Sequence, residues 1–238
     1  MDSVIKIENN ILANYVMFKL DKIENEFTLE ELDKVREIVI DYSDIDEEID
    51  NSFSLLDELL KFRNIERITI RNGYIYNDSY RIFLQLNNLR KMVFEKCEFE
   101  NVDLIVSLNL TGLSLIDCKI NNYNFIGTLL DIDRLCIVNG QVDIDKINKL
   151  EGLISLQLSY SKIVSDNKEI CLNNIEELYI DNTNIERFDF LLGLNHLKRV
   201  SIDREQYKMN KELFDKLMEG NVIVLYENMI QVGDMNGI

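Results

Sequence analysis

Short stretches of the chain alternate apolar and polar residues as L-x-L pairs, and the pairs return at a nearly constant spacing. They are Ile38 and Ile40, Ile68 and Ile70, Met92 and Phe94, Leu113 and Leu115, Leu135 and Ile137, Leu156 and Leu158, Leu178 and Ile180, and Val200 and Ile202. A period of two marks a strand buried on one face, so each pair points inward and the residue between its members points outward. Three positions ahead of each pair stands a further aliphatic residue: Val35, Ile65, Leu89, Leu110, Ile132, Leu153, Ile175 and Leu197. Successive units are therefore 30, 24, 21, 22, 21, 22 and 22 residues long. Helical spacing lies mostly at the two ends. Ile11, Leu12, Tyr15, Val16 and Leu20 share one face of an amphipathic helix. Thr28 and Glu31 form a T-x-x-E capping box for a second, short helix, with Phe27 placed to staple onto Leu32. Residues 52–63, with Phe53, Leu56, Leu59 and Leu60, have the length and spacing of a true helix inside the first unit. Near the carboxyl end, residues 210–219 carry Leu213, Phe214 and Leu217 on one face before Gly220, and residues 222–226 read as a closing strand ahead of a frayed tail.

The full motif, L-x-x-L-x-L-x-x-N/C-x-L, is clearest as Leu110, Leu113, Leu115, Cys118 and Ile120. Periods of roughly 20 to 29 residues with this signature mean a leucine-rich repeat solenoid. The predicted fold is α/β, with a curved parallel sheet, a helical amino-terminal cap and a convex side of short 3₁₀ turns and extended segments. Residues 1–34 form the cap, 35–209 eight repeats, and 210–238 a closing helix, strand and tail. Asparagine is missing from every ladder position, where Ser43, Gly73, Cys97, Cys118, Gly140, Ser161, Thr183 and Glu205 stand instead.

At this point the chain resembles the bacterial leucine-rich repeat proteins of internalin type. The segment Phe27-Thr28-Leu29-Glu30-Glu31-Leu32-Asp33-Lys34-Val35 looks like the end of their helical cap, and Leu178 to Ile185, followed by Leu191, Leu194 and Leu197, is similar to their repeat body. The similarity runs over residues 8–207, and it implies a solenoid used for protein recognition. The chain departs from the family in lacking proline altogether.

Composition narrows the functional classes. The net charge is −17, and residues 1–60 hold 17 acidic against 5 basic side chains. Acidity is thus concentrated at the amino-terminal end, where it opposes binding to a phosphate backbone. The stretch from Asp41 through Asp44, Asp46, Glu47 and Glu48 to Asp50 fails as an EF-hand, because Leu55 stands where the closing glutamate belongs. It reads as a solvated acidic edge, or as a patch that speeds encounter with a basic partner. Four cysteines without C-x-x-C spacing, and the single His196, do not make a zinc site. Cys97 and Cys118 occupy ladder positions, Cys136 a strand, and Cys171 the approach to the seventh repeat. His196 has no nucleophile at a diagnostic spacing, and no phosphate loop or nucleophile elbow occurs, so neither catalysis nor a cofactor is expected. No apolar run reaches the roughly 18 residues of a membrane span. Met1 to Glu8 has no secretory pattern, so the expected location is the cytoplasm.

What remains is a protein-binding module, with the concave face as its site. The register places Tyr42, Arg67, Arg71, Lys91, Ile116, Arg134, Val138, Tyr160, Glu177, Tyr179, Asp181 and Arg199 there. Exposed Ile116 and Val138, with Tyr160 and Tyr179 beyond them, would form an apolar and aromatic stripe of the kind found at interface hot spots. Basic residues would lie to one side, near Arg67 to Lys91, and acidic ones to the other. The expected partner is a protein, one with a basic patch if the acidic end takes part in the encounter. A cytoplasmic inhibitor, immunity-type protein or scaffold fits this best; the alternative is a surface recognition domain.

Overall fold

The computed structural model describes residues 4–43, 52–165 and 169–226, the side chains of residues 52–54 excepted. Most of the acidic stretch, from Asp44 to Asp50, and the tail after Tyr226 lie outside the described residues. The chain divides into two compact units, Met1–Leu110 and Thr111–Ile238.

Unit one opens with helix α1 (Asn10–Lys19), started by Asn9, whose side chain accepts from the backbone N–H of Ile11 and Leu12. Its buried residues are Leu12, Ala13 and Val16. Helix α2 (Leu29–Leu32) has the predicted capping box: Glu31 N–H donates to Thr28 Oγ1 at 3.2 Å and Thr28 N–H donates to Glu31 Oε2 at 2.8 Å. Phe27 and Leu32, the expected staple, are both buried. The repeats follow as strand β1 (Glu37–Asp41), helix α3 (Ser52–Glu58), β2 (Arg67–Arg71), β3 (Tyr74–Ile75), helix α4 (Asn77–Phe83), β4 (Lys91–Glu95) and β5 (Glu98–Phe99), with 3₁₀ turns at Leu59–Lys61 and Val102–Ser107. Strands β1, β2 and β4 pair in parallel, aligning Ile38 with Ile68 and Met92, and Ile40 with Ile70 and Phe94. Helix α4 is a departure from the expected irregular return. The 24-residue unit has room for two turns of helix, which bury Tyr80 and Phe83, and the Asn77 N–H donates to Glu100 Oε2.

Unit two contains β6 (Gly112–Ile116), β7 (Arg134–Val138), β8 (Gln141–Val142), α5 (Ile144–Ile147), β9 (Ser155–Gln157), β10 (Lys162–Ile163), β11 (Glu177–Tyr179), β12 (Arg199–Ser201), α6 (Arg204–Met209), α7 (Lys211–Glu219) and β13 (Ile223–Leu225). The 3₁₀ turns Asn124–Thr128 and Asp189–Gly193 are the expected short returns. Six strands run parallel in the order β6-β7-β9-β11-β12-β13. Leu113, Leu135, Leu156, Leu178, Val200 and Val224 face one another across them. Both α7 and β13 fall where the spacing predicts them. Helix α6 is additional, started by Asp203 and Gln206 as a D-x-x-Q capping box.

The ladder is built from substitutes. A thiol and a hydroxyl reach a carbonyl of the preceding repeat, Cys97 Sγ donating to Ile70 at 3.4 Å and Ser161 Oγ to Ile137 at 3.0 Å, whereas Cys118 Sγ and Thr183 Oγ1 donate to Ile116 and Ile180 of their own repeats. In the last repeat the expected Glu205 is exposed and pairs with Lys208, and Gln206 one residue later donates to Ile180 O at 3.3 Å. The start of α6 shifts the chain by one position and brings the amide inward. Where glycine stands in the ladder, a tyrosine of the preceding repeat fills the space. A Cβ on Gly73 would lie 2.8 Å from the Tyr42 ring, and one on Gly140 would run into Ile137 and lie 3.0 Å from the Tyr123 hydroxyl.

Just ahead of the ladder residue the backbone turns through a left-handed conformation, at Asn72 and Lys96 in unit one and at Asp117, Asn139, Tyr160 and Asn182 in unit two. Asparagine and aspartate tolerate it best among side-chain-bearing residues, which explains their frequency here.

Gly140→Ala is expected to lower the stability of unit two by about 1–3 kcal/mol through overpacking. Gly193, whose added Cβ would meet nothing within 4 Å, should accept alanine within about 0.5 kcal/mol. Equal shifts of the urea midpoint for the two variants would contradict this account of the ladder. The capping box also sets a pH dependence: the Thr28 N–H, then Lys22, hold the Glu31 carboxyl at about 2, below its ordinary 4.5. Its contribution to stability is complete above pH 4.5 and is lost as pH falls through about 2. Acid titration of Glu31→Gln should show a flatter stability profile in that window.

Candidate functional site

The strands of unit two present three outward rows, set by the alternation that sends the leucines inward. The first contains Arg134, Ser155, Glu177 and Arg199, aligned across neighbouring strands. Strand neighbours lie about 4.8 Å apart, so Arg134 and Glu177 are two spacings from each other. Small, buried Ser155 lies between them, and Arg134 Nη1 comes within 3.7 Å of Glu177 Oε2. From the other side Arg199 Nη1 approaches Glu177 Oε1 at 3.4 Å and donates to the Tyr179 hydroxyl at 3.5 Å. Ion pairs this exposed contribute under about 1 kcal/mol each. Their effect is to hold two guanidinium groups and one carboxylate in fixed places.

The second and third rows join in a hydrogen-bonded network. Cys136 Sγ donates to Gln157 Oε1 at 3.4 Å, and Gln157 Nε2 donates to Ser159 Oγ at 3.3 Å. Ser159 Oγ then donates to Asp181 Oδ1 at 2.7 Å, which also receives Ser201 Oγ at 3.4 Å. The network satisfies polar groups that the outward face would otherwise bury unpaired. It also makes the middle of the face rigid.

Several expected site residues sit differently from their sequence reading. Val138 is only 4% exposed, and together with Cys136 it forms a closed cluster against which Ile116 packs. There is no open apolar stripe through these residues, because the side chains of adjoining strands are close enough to cover one another. Tyr179 is half-buried beside Arg199, and Asp181 is buried among its donors. Tyr160 alone of the expected stripe is well exposed, at 48%, on the turn where its backbone has φ 60°. In unit one, Tyr42 lies against Gly73, and burial pushes its hydroxyl up to about 12. Arg71 bonds Glu95 at 3.0 Å and Arg67 lies 4.0 Å from Glu37, so acidic neighbours offset the expected basic run. Lys91 is half-buried on β4. The buried network of Gln157, Ser159 and Ser201 was not legible beforehand, since its members are linked only by neighbouring strands.

His196 is exposed. Burial pushes the Cys136 thiol up to about 12, against a smaller opposing effect of the Ser114 hydrogen bond. It is therefore protonated and unreactive near neutral pH. Cys97, Cys118 and Cys136 are buried and Cys171 is exposed. Iodoacetamide at about pH 8 should therefore label the native chain once, at Cys171, and the urea-unfolded chain at all four cysteines. Rapid native labelling of Cys136, read by peptide mass spectrometry, would contradict the closed face.

No protein-family model and no curated protein sequence matches the chain. Solved structures do. An internalin C2 from Listeria monocytogenes superposes with a TM-score of 0.53 at 16% identity, covering 82% of this chain and 93% of its own. Listeria monocytogenes InlP gives 0.51 at 13% identity over 82% of this chain, which spans 64% of that protein. With the parallel strands and the repeat spacing, the likeness shows that the chain has the α/β leucine-rich repeat fold found in these internalins.

Proposed function

We propose that the chain is a non-catalytic module that binds a protein partner on the open face of its parallel strands, acting in the cytoplasm as an inhibitor, immunity-type protein or scaffold. The observation that carries this reading is the outward face of unit two, where Arg134, Glu177, Arg199 and Tyr179 are held by one another over a rigid network. A face whose charged groups are already positioned loses little side-chain entropy on binding. Arginine and tyrosine are also the residue types that most often carry interface energy. The overall charge of −17 disfavours nucleic acid and anionic lipid as partners. Among the described residues no helix is long and apolar enough to cross a membrane.

The internalin-like fold favours a second reading, recognition at a cell surface. Fractionation of the native host separates the two, since accumulation outside the membrane would remove the cytoplasmic role.

The face itself is tested by a photo-crosslinking amino acid placed at Tyr179 or, as a control on the return side, at the exposed Leu192. Cross-links to the co-purifying protein are expected from position 179. They should weaken at least tenfold when Arg134→Glu and Arg199→Glu are combined, given about 1.4 kcal/mol per tenfold change in affinity. Cross-links from position 192 alone would sink the proposal.

A further inference from the structure

We propose that the open face of unit two receives an acidic side chain of the partner protein, an aspartate or glutamate, on the guanidinium groups of Arg134 and Arg199. The inference rests on the reading that this face binds protein, and it adds the charge of what the face meets.

The first outward row runs cation, serine, anion, cation across neighbouring strands, as Arg134, Ser155, Glu177 and Arg199. Two guanidinium groups therefore share one carboxylate. Their approaches, 3.7 Å from Arg134 Nη1 to Glu177 Oε2 and 3.4 Å from Arg199 Nη1 to Glu177 Oε1, exceed the roughly 2.7–2.9 Å of a charge-assisted hydrogen bond. Glu177 orients both arginines without saturating either. Among the described residues no other carboxylate, Asp133 included, pairs with them, and Arg199 meets the Tyr179 hydroxyl through the same Nη1. A guanidinium carries five N–H donors in a planar fork, and the Nε and Nη2 groups of both arginines have no acceptor among the described residues. The row also leaves room beside them. Arg134 is level with Gly112 on one side and Ser155 on the other, and the side chains of Arg134 and Arg199 stay 31% and 41% exposed.

The surplus decides the chemistry of the occupant. Two cations against one anion leave one positive charge on this row, in a chain whose total is −17. Glu176 on the flank is matched by Lys198 at 2.7 Å and does not draw on the arginines. One carboxylate balances the cluster, and its two oxygens fit the edge of a guanidinium fork. A phosphate dianion would exceed the surplus while facing the fixed Glu177, and a basic side chain would compete with both arginines for that one anion. A partner carboxylate continues the alternation of charge, and closing the face removes water from the pairs, which strengthens them.

The test follows the arginine Nε–H resonances of the isotope-labelled full chain during addition of a short blocked peptide with two glutamates in a glycine background, its glutamine counterpart, or inorganic phosphate. Shifts at Arg134 and Arg199 are expected with the glutamate peptide. Arg134→Gln and Arg199→Gln should each weaken its binding about fivefold, the upper end for a charge pair open to solvent. Arg187→Gln, at an exposed arginine outside the row, should leave it unchanged. Equal binding of the glutamine peptide, an unchanged dissociation constant in either row variant, or larger shifts with phosphate than with the glutamate peptide would overturn the acidic occupant. Each of these would leave the Tyr179 cross-link, and with it the face reading, standing; cross-links from position 192 alone would remove the face itself.

Discussion

The structure depends on one constraint: a single repeat has no partner within itself for its L-x-L pair. Two aliphatic side chains on a strand of three to five residues can leave water only against the equivalent pair of the next repeat. Ile38, Ile68 and Met92 in unit one, and Leu113, Leu135, Leu156, Leu178 and Val200 in unit two, are all fully buried in this way. Burying a residue of this size is worth about 1.5–3 kcal/mol, so the stacked pairs provide most of the driving force. The strand register follows from them, because a slip of one residue would turn every pair to the opposite face.

Once the register is set, the remainder of each repeat has only to satisfy its backbone and return. The ladder shows how loosely that requirement constrains residue identity. A thiol, a hydroxyl and an amide each reach a carbonyl of the preceding repeat, and a glycine serves if a tyrosine ring fills the space beside it. This tolerance explains how a chain without ladder asparagines or any proline still keeps the fold. The left-handed turn ahead of the ladder is stricter, since it is a backbone requirement. Asparagine, aspartate or lysine meets it everywhere but at Tyr160.

The same period that buries the leucines lines up the outward residues in rows. Arg134 and Glu177 meet although strand β9 separates them, because its Ser155 is small. Asp181 accepts from Ser159 in the repeat before it and from Ser201 in the repeat after it, the latter reached diagonally because Ser201 pairs in register with Tyr179. Such an arrangement offers a partner fixed positions of charge and hydrogen bonding. It also leaves Cys136, the nucleophile nearest the centre of the face, protonated and covered.

The amino-acid sequence by itself determined the strand positions, the inward pairs, the two helices ahead of the first repeat and the closing helix and strand. Each of these is encoded locally, by a period of two, a capping box or a helical face, and local encoding survives without knowledge of the neighbours. Helices α4 and α6 were harder to read, since α4 falls in the 24-residue unit and α6 in the last repeat, on the return side where short turns were expected. What only the tertiary structure decided was which outward residues are open. Val138 and Asp181 occupy strand positions equivalent to exposed Arg71, yet both are buried, while Tyr160 is exposed. Exposure on a sheet depends on the side chains of the strands alongside, and those come from repeats some 21 or 22 residues away. Gln206 illustrates the same limit: only the start of a helix, one residue off the repeat register, brings its amide to the Ile180 carbonyl in place of Glu205.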